Sequence, residues 1–168
     1  MIAIADTCFL VNWLRYRDRE RIFQAYSSIA VPLLVLDELG ARGRAMLGGW
    51  LASRRVFLVP RVNEYEVEAL RLVEYSHARR LPRIDPPEAY CLAVARRRGY
   101  HFLTDNKAPR YLVREVAEYR GVEVLDSLDL LVRLYGTGVE LRRALAAYSE
   151  DTGLKFSRIR LREYGIEC

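Results

Sequence analysis

The chain has 168 residues, a hydrophobic share of 51% and a formal net charge of +5 at pH 7. This length suits one globular domain with a substantial core, and no apolar run reaches the roughly 18 residues that a membrane-spanning helix needs. The N-terminus has no basic region before its apolar run, as a signal peptide would, so we expect a cytoplasmic protein.

The positive charge is almost entirely arginine, because Lys107 and Lys155 are the only lysines. Arginine binds phosphate through a planar fork and stacks on bases, which suits a nucleic-acid partner. A composition-biased surface of the kind found in thermophiles would give the same balance, so the charge alone leaves both interpretations open.

Short apolar runs alternate with helical patterns along the chain. Strands are predicted at residues 2–5, 28–31, 56–59, 100–103 and 122–125. Helices are predicted after the first strand and over residues 32–40, 63–77, 88–98, 108–120, 127–135 and 139–148. In the helix of residues 63–77, Val67, Leu70 and Val73 form one apolar face.

This alternation predicts an α/β fold in which a central parallel sheet of about five strands is covered on both faces. Gly136-Thr137-Gly138 is the only plausible linker. We therefore expect a domain over residues 1–135 and a helical extension, residues 136–168, packed on the same domain.

Four acidic residues, Asp6, Glu38, Glu88 and Asp105, lie where an apolar element ends or a helix begins. Carboxylates at the ends of buried parallel strands would converge at one rim of the sheet. They would repel one another unless a cation separated them, and oxygen ligands favour Mg²⁺ or Mn²⁺. The pattern indicates metal-assisted chemistry on phosphate esters.

Each acid also fits a structural role. Asp6 and Asp105 lie between a strand and a helix, where aspartate is a favoured N-cap. Asp85-Pro86-Pro87-Glu88 is close to a capping box, and Glu38 fits a solvated helix residue. The structural role is the better account of each position alone, whereas the metal site is the better account of all four together.

The cysteines Cys8, Cys91 and Cys168 have neither metal-ligand spacing nor the pattern of a disulfide framework. We expect Cys8 and Cys91 in the core and Cys168 as an exposed, oxidisable thiol. His77 and His101 are isolated, and His101 fits a hydrogen-bonded core histidine. A zinc site or a Cys–His nucleophile is therefore not expected.

These motifs, in this order, resemble the PIN-domain nucleases. The likeness rests on Ile4-Ala5-Asp6-Thr7, on Glu38 in its helix, on Glu88 with the small apolar residues after it, and on Thr104-Asp105-Asn106. Residues 124–131 resemble the closing strand and helix of that family. The tail, residues 148–162, is similar to the helical extension of some prokaryotic members, particularly the VapC-like toxins.

The resemblance implies a three-layer α/β/α sandwich with a metal-dependent endoribonuclease site. Asp6, Glu38, Glu88 and Asp105 would be the catalytic acids and would bind one or two Mg²⁺ or Mn²⁺ ions. One ion would activate water and the other would stabilise the leaving oxygen during attack on an RNA phosphodiester.

Supporting roles follow from the same resemblance. Thr7 would hydrogen-bond near the metal or the phosphate, and Asn106 would orient a carboxylate or water. Arg110 would contact an RNA phosphate. Asp85, three residues before Glu88, remains open as a replacement for Glu88 or as an additional ligand.

The function implied is the toxin of a toxin–antitoxin pair, a homodimer whose partners are RNA and an antitoxin protein. The alternatives are an RNA-processing or quality-control nuclease without an antitoxin, and a degenerate PIN domain that only binds RNA or protein. The presence of all four acids favours an enzyme. Trp13 and Trp50 are candidates for the dimer or antitoxin surface, although the core is the more expected place for Trp13. Tyr111 and Tyr119 are expected to be packing residues.

Overall fold

A five-stranded parallel sheet forms the centre of the protein in the computed structural model, which describes residues 1–166. The strands are β1 (Ile2–Ala5), β2 (Ser28–Pro32), β3 (Val56–Val59), β4 (His101–Leu103) and β5 (Val124–Leu125). Their spatial order is β3-β2-β1-β4-β5, and all neighbouring pairs are parallel. The predicted α/β fold with a five-stranded parallel sheet is confirmed.

Ten α-helices surround the sheet within residues 1–166. They are α1 (Thr7–Trp13), α2 (Ile22–Ala25), α3 (Leu33–Glu38), α4 (Ala41–Ala52), α5 (Asn63–Ala78), α6 (Pro86–Arg98), α7 (Ala108–Glu115), α8 (Ser127–Tyr135), α9 (Val139–Thr152) and α10 (Arg158–Glu163). Successive residues of a strand point to opposite faces of its sheet. Ala3, Ile4 and Ala5 are all fully buried, so both faces of β1 are covered. In this part of the chain, no helix has the length and apolar character needed to cross a bilayer.

Several helices differ from the sequence prediction, and α2 and α10 were not predicted. The pattern did not predict α4, in which Leu47 and Trp50 are buried. The helix predicted over residues 108–120 ends at Glu115, because Val116 adopts an extended backbone conformation, and a short 3-10 helix (Ala117–Tyr119) follows.

Helix α5 turns a different face to the core than the apolar pattern predicted. Val67 and Leu70 are 41% and 57% exposed, whereas Leu72 is only 5% exposed. Glu68 takes an inward position, where its carboxylate accepts hydrogen bonds from the Nε atoms of Arg96 and Arg97, at 2.7 Å each, and from the Tyr119 hydroxyl. Because a paired carboxylate tolerates burial, this network fixes the rotation of the helix.

Both tryptophans lie in the core, as was expected for Trp13, so neither is available as a docking surface. Trp13 is fully buried and donates its Nε1–H to the carbonyl of Arg19 at 3.0 Å. Trp50 is 4% exposed and donates to Glu20 at 2.6 Å. Each indole N–H has a partner, as a buried tryptophan requires.

The predictions for the cysteines, His101 and the two tyrosines are confirmed only in part. Cys91 is buried as predicted, whereas Cys8 is only half-buried, and Cys168 lies outside the described residues. The Nδ1 atom of His101 lies 3.2 Å from the Tyr26 hydroxyl, which confirms the expected hydrogen-bonded histidine. Tyr119 is buried as expected, but Tyr111 is 46% exposed.

The C-terminal helix α9 packs against the N-terminal part of the chain. Its Tyr148 is fully buried, with ring centroids 5.6 Å from Trp13 and 5.1 Å from Tyr16. At the surface, Arg17 binds Asp151 through both its backbone N–H, at 2.8 Å, and its guanidinium. The start of the extension thus shares the hydrophobic core of α1.

Helix α5 offers a matched pair of leucine substitutions, because Leu72 is buried and Leu70 is mostly exposed. Leu72→Ala removes a buried side chain and is expected to lower the free energy of unfolding by about 2–5 kcal/mol. Leu70→Ala removes the same atoms from a mostly exposed position and is expected to change it by less than about 0.5 kcal/mol. Urea unfolding of both variants measures the difference. Equal losses would show that the helix is rotated relative to this structure.

Candidate active site

The carboxyl edge between β1 and β4 is the point where the order of the sheet reverses. The chain runs outward from β1 to β2 and β3, and then crosses back to place β4 on the other side of β1. Ala5 pairs with Leu103, and the backbone N–H of Asp6 donates to the Leu103 carbonyl at 3.2 Å. Asp6 and Asp105 therefore follow neighbouring strands at the switch point, where α/β proteins bind ligands.

The two carboxylate oxygens of Asp6 differ in their hydrogen bonding. Its Oδ1 accepts the backbone N–H of Phe9 at 2.9 Å and so caps α1, as the structural alternative predicted. Its Oδ2 is the one buried side-chain oxygen in residues 1–166 without a hydrogen-bond partner. Burial raises the pKa of Asp6 to about 7, and the nearby charge of Asp105 adds to this. A buried carboxylate with a free oxygen requires either a proton or a cation.

Glu88 belongs to a complete capping box at the start of α6. Asp85 Oδ1 accepts the backbone N–H of Glu88 at 3.0 Å, and Glu88 Oε2 accepts that of Asp85 at 3.3 Å. The side-chain amide of Asn106 donates to the other oxygen, Oε1. Glu88 is 4% exposed, and burial, followed by the charges of Asp85 and Asp6, raises its pKa to about 8.

A second capping box lies at the start of α8, and its surroundings lower the pKa of Asp129 instead of raising it. Asp126 and Asp129 exchange hydrogen bonds in the same pattern, but Asp129 also binds Arg110, Arg160 and the Tyr164 hydroxyl. Burial alone would hinder ionisation of Asp129, but the bonds from Tyr164 and the Asp126 backbone, together with the charge of Arg110, lower its pKa to about 2. The same motif therefore holds an acid paired with arginines at α8 and an acid with only neutral hydrogen-bond donors at α6.

Arg110, predicted to contact phosphate, lies in this second box. Its guanidinium is 3.0 Å from Asp126 and also binds Asp129. A role in phosphate binding stays a prediction, and it would require Arg110 to exchange a carboxylate for a phosphate.

Asp105 is oriented by two residues that the sequence interpretation missed. The side-chain amide of Asn12 donates to Asp105 Oδ2 at 2.7 Å, and the backbone N–H of Ser127 donates to Oδ1 at 2.9 Å. The Ser127 hydroxyl in turn bonds to the buried Tyr148 hydroxyl at 2.7 Å. Asn12 was detectable, because an asparagine in an otherwise apolar helix has low helix propensity and needs another reason to be there.

Glu38 reaches the same region from α3. It is exposed at the last residue of that helix, and its Oε2 accepts the hydroxyl of Thr7, the residue after Asp6. The predicted supporting residues thus each bind a predicted acid: Thr7 binds Glu38, and Asn106 binds Glu88.

A cleft of about 730 Å³ opens beside these residues and is lined by Asp85, Glu88, Asp105 and Asn106. Asp6 and Glu38 are not among its lining residues. Within residues 1–166, no three His, Cys, Asp or Glu side chains are already arranged as ligands of one ion. The structure therefore brings the predicted acids to one edge of the sheet, although it does not arrange three of them as ligands of one ion.

Buried acids at the switch point of a five-stranded parallel sheet define the class of this domain. A family model described as "PIN domain" matches residues 2–150. The chain therefore belongs to the PIN-domain family, a family of nuclease type.

Two solved structures share the fold. A chain of VapBC2 from Rickettsia felis, bound to a DNA fragment from their promoter, matches with a TM-score of 0.55 and 14% identity, covering 75% of this chain and 98% of that one. A chain of a toxin–antitoxin complex from Klebsiella pneumoniae matches with a TM-score of 0.50 and 18% identity, covering 73% and 95%. No curated protein sequence matches this chain.

The raised pKa values predict that stability without metal falls as the pH rises. The pKa of Asp6 rises from 3.8 to about 7, and that of Glu88 from 4.5 to about 8. Between these values the folded state holds protons that the unfolded state has lost, so each group lowers the free energy of unfolding by about 1.4 kcal/mol per pH unit.

Asp6→Asn tests this directly, because asparagine stays uncharged. In EDTA, we expect the free energy of unfolding to fall less between about pH 5 and pH 8 in the variant than in the wild type, because Asp6 no longer contributes to the fall. Parallel pH profiles of the two proteins in urea unfolding would contradict the burial of an unpaired Asp6 carboxylate.

Proposed function

We propose that this protein is a VapC-like toxin that hydrolyses RNA phosphodiesters with Mg²⁺ or Mn²⁺. The observation that carries the proposal is the unpartnered Oδ2 of Asp6, buried close to a second carboxyl group, Glu88, whose pKa is also raised. A domain that kept the fold only for binding would have no reason to retain this unfavourable pair. Membership of a nuclease-type family supports the same conclusion.

The four predicted acids provide the type of ligand that a hard divalent cation prefers. All four acids offer carboxylate oxygens, the ligands that Mg²⁺ and Mn²⁺ prefer. Asp6, Glu88 and Asp105 would hold the ion, and Glu38 would join them from α3. When bound, the ion would supply positive charge to the reacting phosphodiester and to the attacking water. Asp85 is exposed and its Oδ1 serves the α6 cap, which favours Glu88 as the third acid.

The chain's own residues orient this set. Asn106 holds Oε1 of Glu88, Thr7 holds Oε2 of Glu38, and Asn12 holds Oδ2 of Asp105. Each of these donors is neutral, so it fixes an acid in position without replacing the cation that the acids need. Such outer hydrogen bonds typically matter for metal affinity nearly as much as the ligands do.

An antitoxin is the proposed protein partner, and a homodimer the proposed assembly. The support is the likeness to chains from two toxin–antitoxin structures. Because Trp13 and Trp50 are buried, either interface must use other residues. Light scattering of the purified protein should give twice the 19.5 kDa mass of one chain. A mass of one chain at high concentration would remove the homodimer.

The two capping boxes provide a matched test of chemistry against capping. In Glu88→Gln the side-chain oxygen can still accept the backbone N–H, so stability should stay within about 1 kcal/mol or rise, because a buried negative charge is lost. Metal-dependent cleavage of RNA should be almost abolished. Asp129→Asn should instead cost about 3 kcal/mol or more, because it removes one partner of a buried ion pair.

Gel-based cleavage of labelled RNA, with and without Mn²⁺, gives the first readout, and urea unfolding gives the second. Wild-type cleavage by Glu88→Gln would make Glu88 a cap only, and Asp85 would be the next candidate. RNA cleavage that persists in EDTA would contradict the proposed dependence on a metal.

Growth after induced expression separates a toxin from an RNA-processing nuclease. The wild type should arrest bacterial growth, and Asp6→Asn, which lacks the anionic ligand, should not. Arrest by both proteins would mean that toxicity does not come from this site. Normal growth with an enzyme that is active in vitro would favour the processing role.

A further inference from the structure

Two cations lie on the walls of the active-site cleft. Arg83 comes from the loop between α5 and α6, and Lys107 follows Asn106 at the start of α7. Both are exposed. They are separated by more than twenty positions in the sequence, so the fold, and not local sequence, brings them to the same cleft.

These cations differ from Arg110, the residue predicted to contact phosphate, in having no acidic partner within residues 1–166. Within the described chain, Arg83 and Lys107 form no ion pair. By contrast, Arg110 and Arg160 both bind the Asp126–Asp129 box. The charge of Arg110 is therefore largely neutralised, whereas Arg83 and Lys107 keep their full charge at the cleft.

Their backbone positions are fixed. The loop carrying Arg83 is anchored by Ile84, which is 2% exposed, and by the Leu81 N–H, which donates to the Ser76 carbonyl at 3.0 Å. On the other wall, the carbonyl of Lys107 accepts the N–H of Arg110 at 3.1 Å. Only the side chains remain free to move toward a ligand.

Both cations are close in sequence to residues that contact Glu88. Arg83 lies two residues before Asp85, the capping partner of Glu88, and Lys107 lies directly after Asn106, which binds Glu88. The acids on their own would repel a polyanion, and cations at the rim of such a cleft raise the local concentration of one. The cleft thus has an acidic interior for a metal and a basic rim for phosphates.

We infer that Arg83 and Lys107 bind the phosphates on either side of the scissile phosphodiester of a single-stranded RNA. The inference rests on the proposed ribonuclease function and names how its substrate is held. A cleft of about 730 Å³ has the size of a ligand pocket, which suits one strand. Arg83 and Lys107 take the role that the sequence resemblance suggested for Arg110.

The test is the salt dependence of RNA binding, measured by fluorescence anisotropy in EDTA so that binding is separated from cleavage. For a single strand, each lost phosphate contact lowers the slope of log K against log salt by about 0.7, which is about a fivefold loss of affinity at 0.1 M salt. Arg83→Gln and Lys107→Gln should each show this loss, and the double variant should lose about 25-fold. A DNA strand of the same sequence should be affected equally, because the contact is to phosphate.

The control is the double variant Arg54→Gln with Arg120→Gln, which removes the same charge. Both residues are exposed and precede strands, so they lie at the edge of the sheet opposite the cleft. This control double variant should bind RNA with the same slope of log K against log salt as the wild type. Thermal unfolding of all variants checks that folding is unchanged.

Equal losses in the cleft and control variants would overturn the inference, because bulk charge would explain them. Unchanged binding in the cleft variants, or no RNA binding by the wild type, would overturn it as well. A failure of the proposed function would look different. If the wild type binds RNA through Arg83 and Lys107 but does not cleave it with Mg²⁺ or Mn²⁺, the phosphate-binding role is supported and the nuclease proposal is contradicted.

Discussion

Buried like charges at the carboxyl edge of β1 and β4 are the constraint on which the account depends. Asp6 and Glu88 are each almost fully buried, the charge of Asp6 helps to raise the pKa of Glu88, and Asp6 keeps one oxygen without a partner. The ends of the parallel strands β1 and β4 place Asp6 and Asp105 at one edge of the sheet, and Asn106, next to Asp105, binds Glu88 at the start of α6. Hydrophobic burial elsewhere must compensate for this local cost, which a bound cation would remove. This arrangement is common at functional sites, where stability is exchanged for reactivity.

The environment of a capping box, and not the motif, decides what its acid does. At α8, two arginines and a tyrosine surround Asp129 and keep it ionised. At α6, Glu88 receives only a neutral amide and backbone hydrogen bonding, and its neighbours are acids. These surroundings lower the pKa of Asp129 and raise that of Glu88. The box at α8 also pairs with Arg110, whereas Arg83 and Lys107 form no ion pair within residues 1–166.

Local sequence predicted the elements well, because strands and helices depend on periodicity within a few residues. Prediction failed where distant residues decide the outcome. The rotation of α5 is set by the partners of Glu68 on α6 and in the 3-10 helix, and Asp105 is held by Asn12, 93 positions away. Helix α4 was missed because its glycines disfavour a helix, which forms because Leu47 and Trp50 pack into the core.

The most direct measurement is anomalous diffraction from a crystal soaked in Mn²⁺. The account predicts a manganese peak at the carboxyl edge of β1 and β4, within about 2.2 Å of Asp6 Oδ2, with oxygens of Glu88 or Asp105 completing its coordination. Binding there would give the unpartnered oxygen its ligand. A fully occupied soak with no peak at Asp6, or with manganese only at other carboxylates, would contradict the central claim that these acids form a metal site.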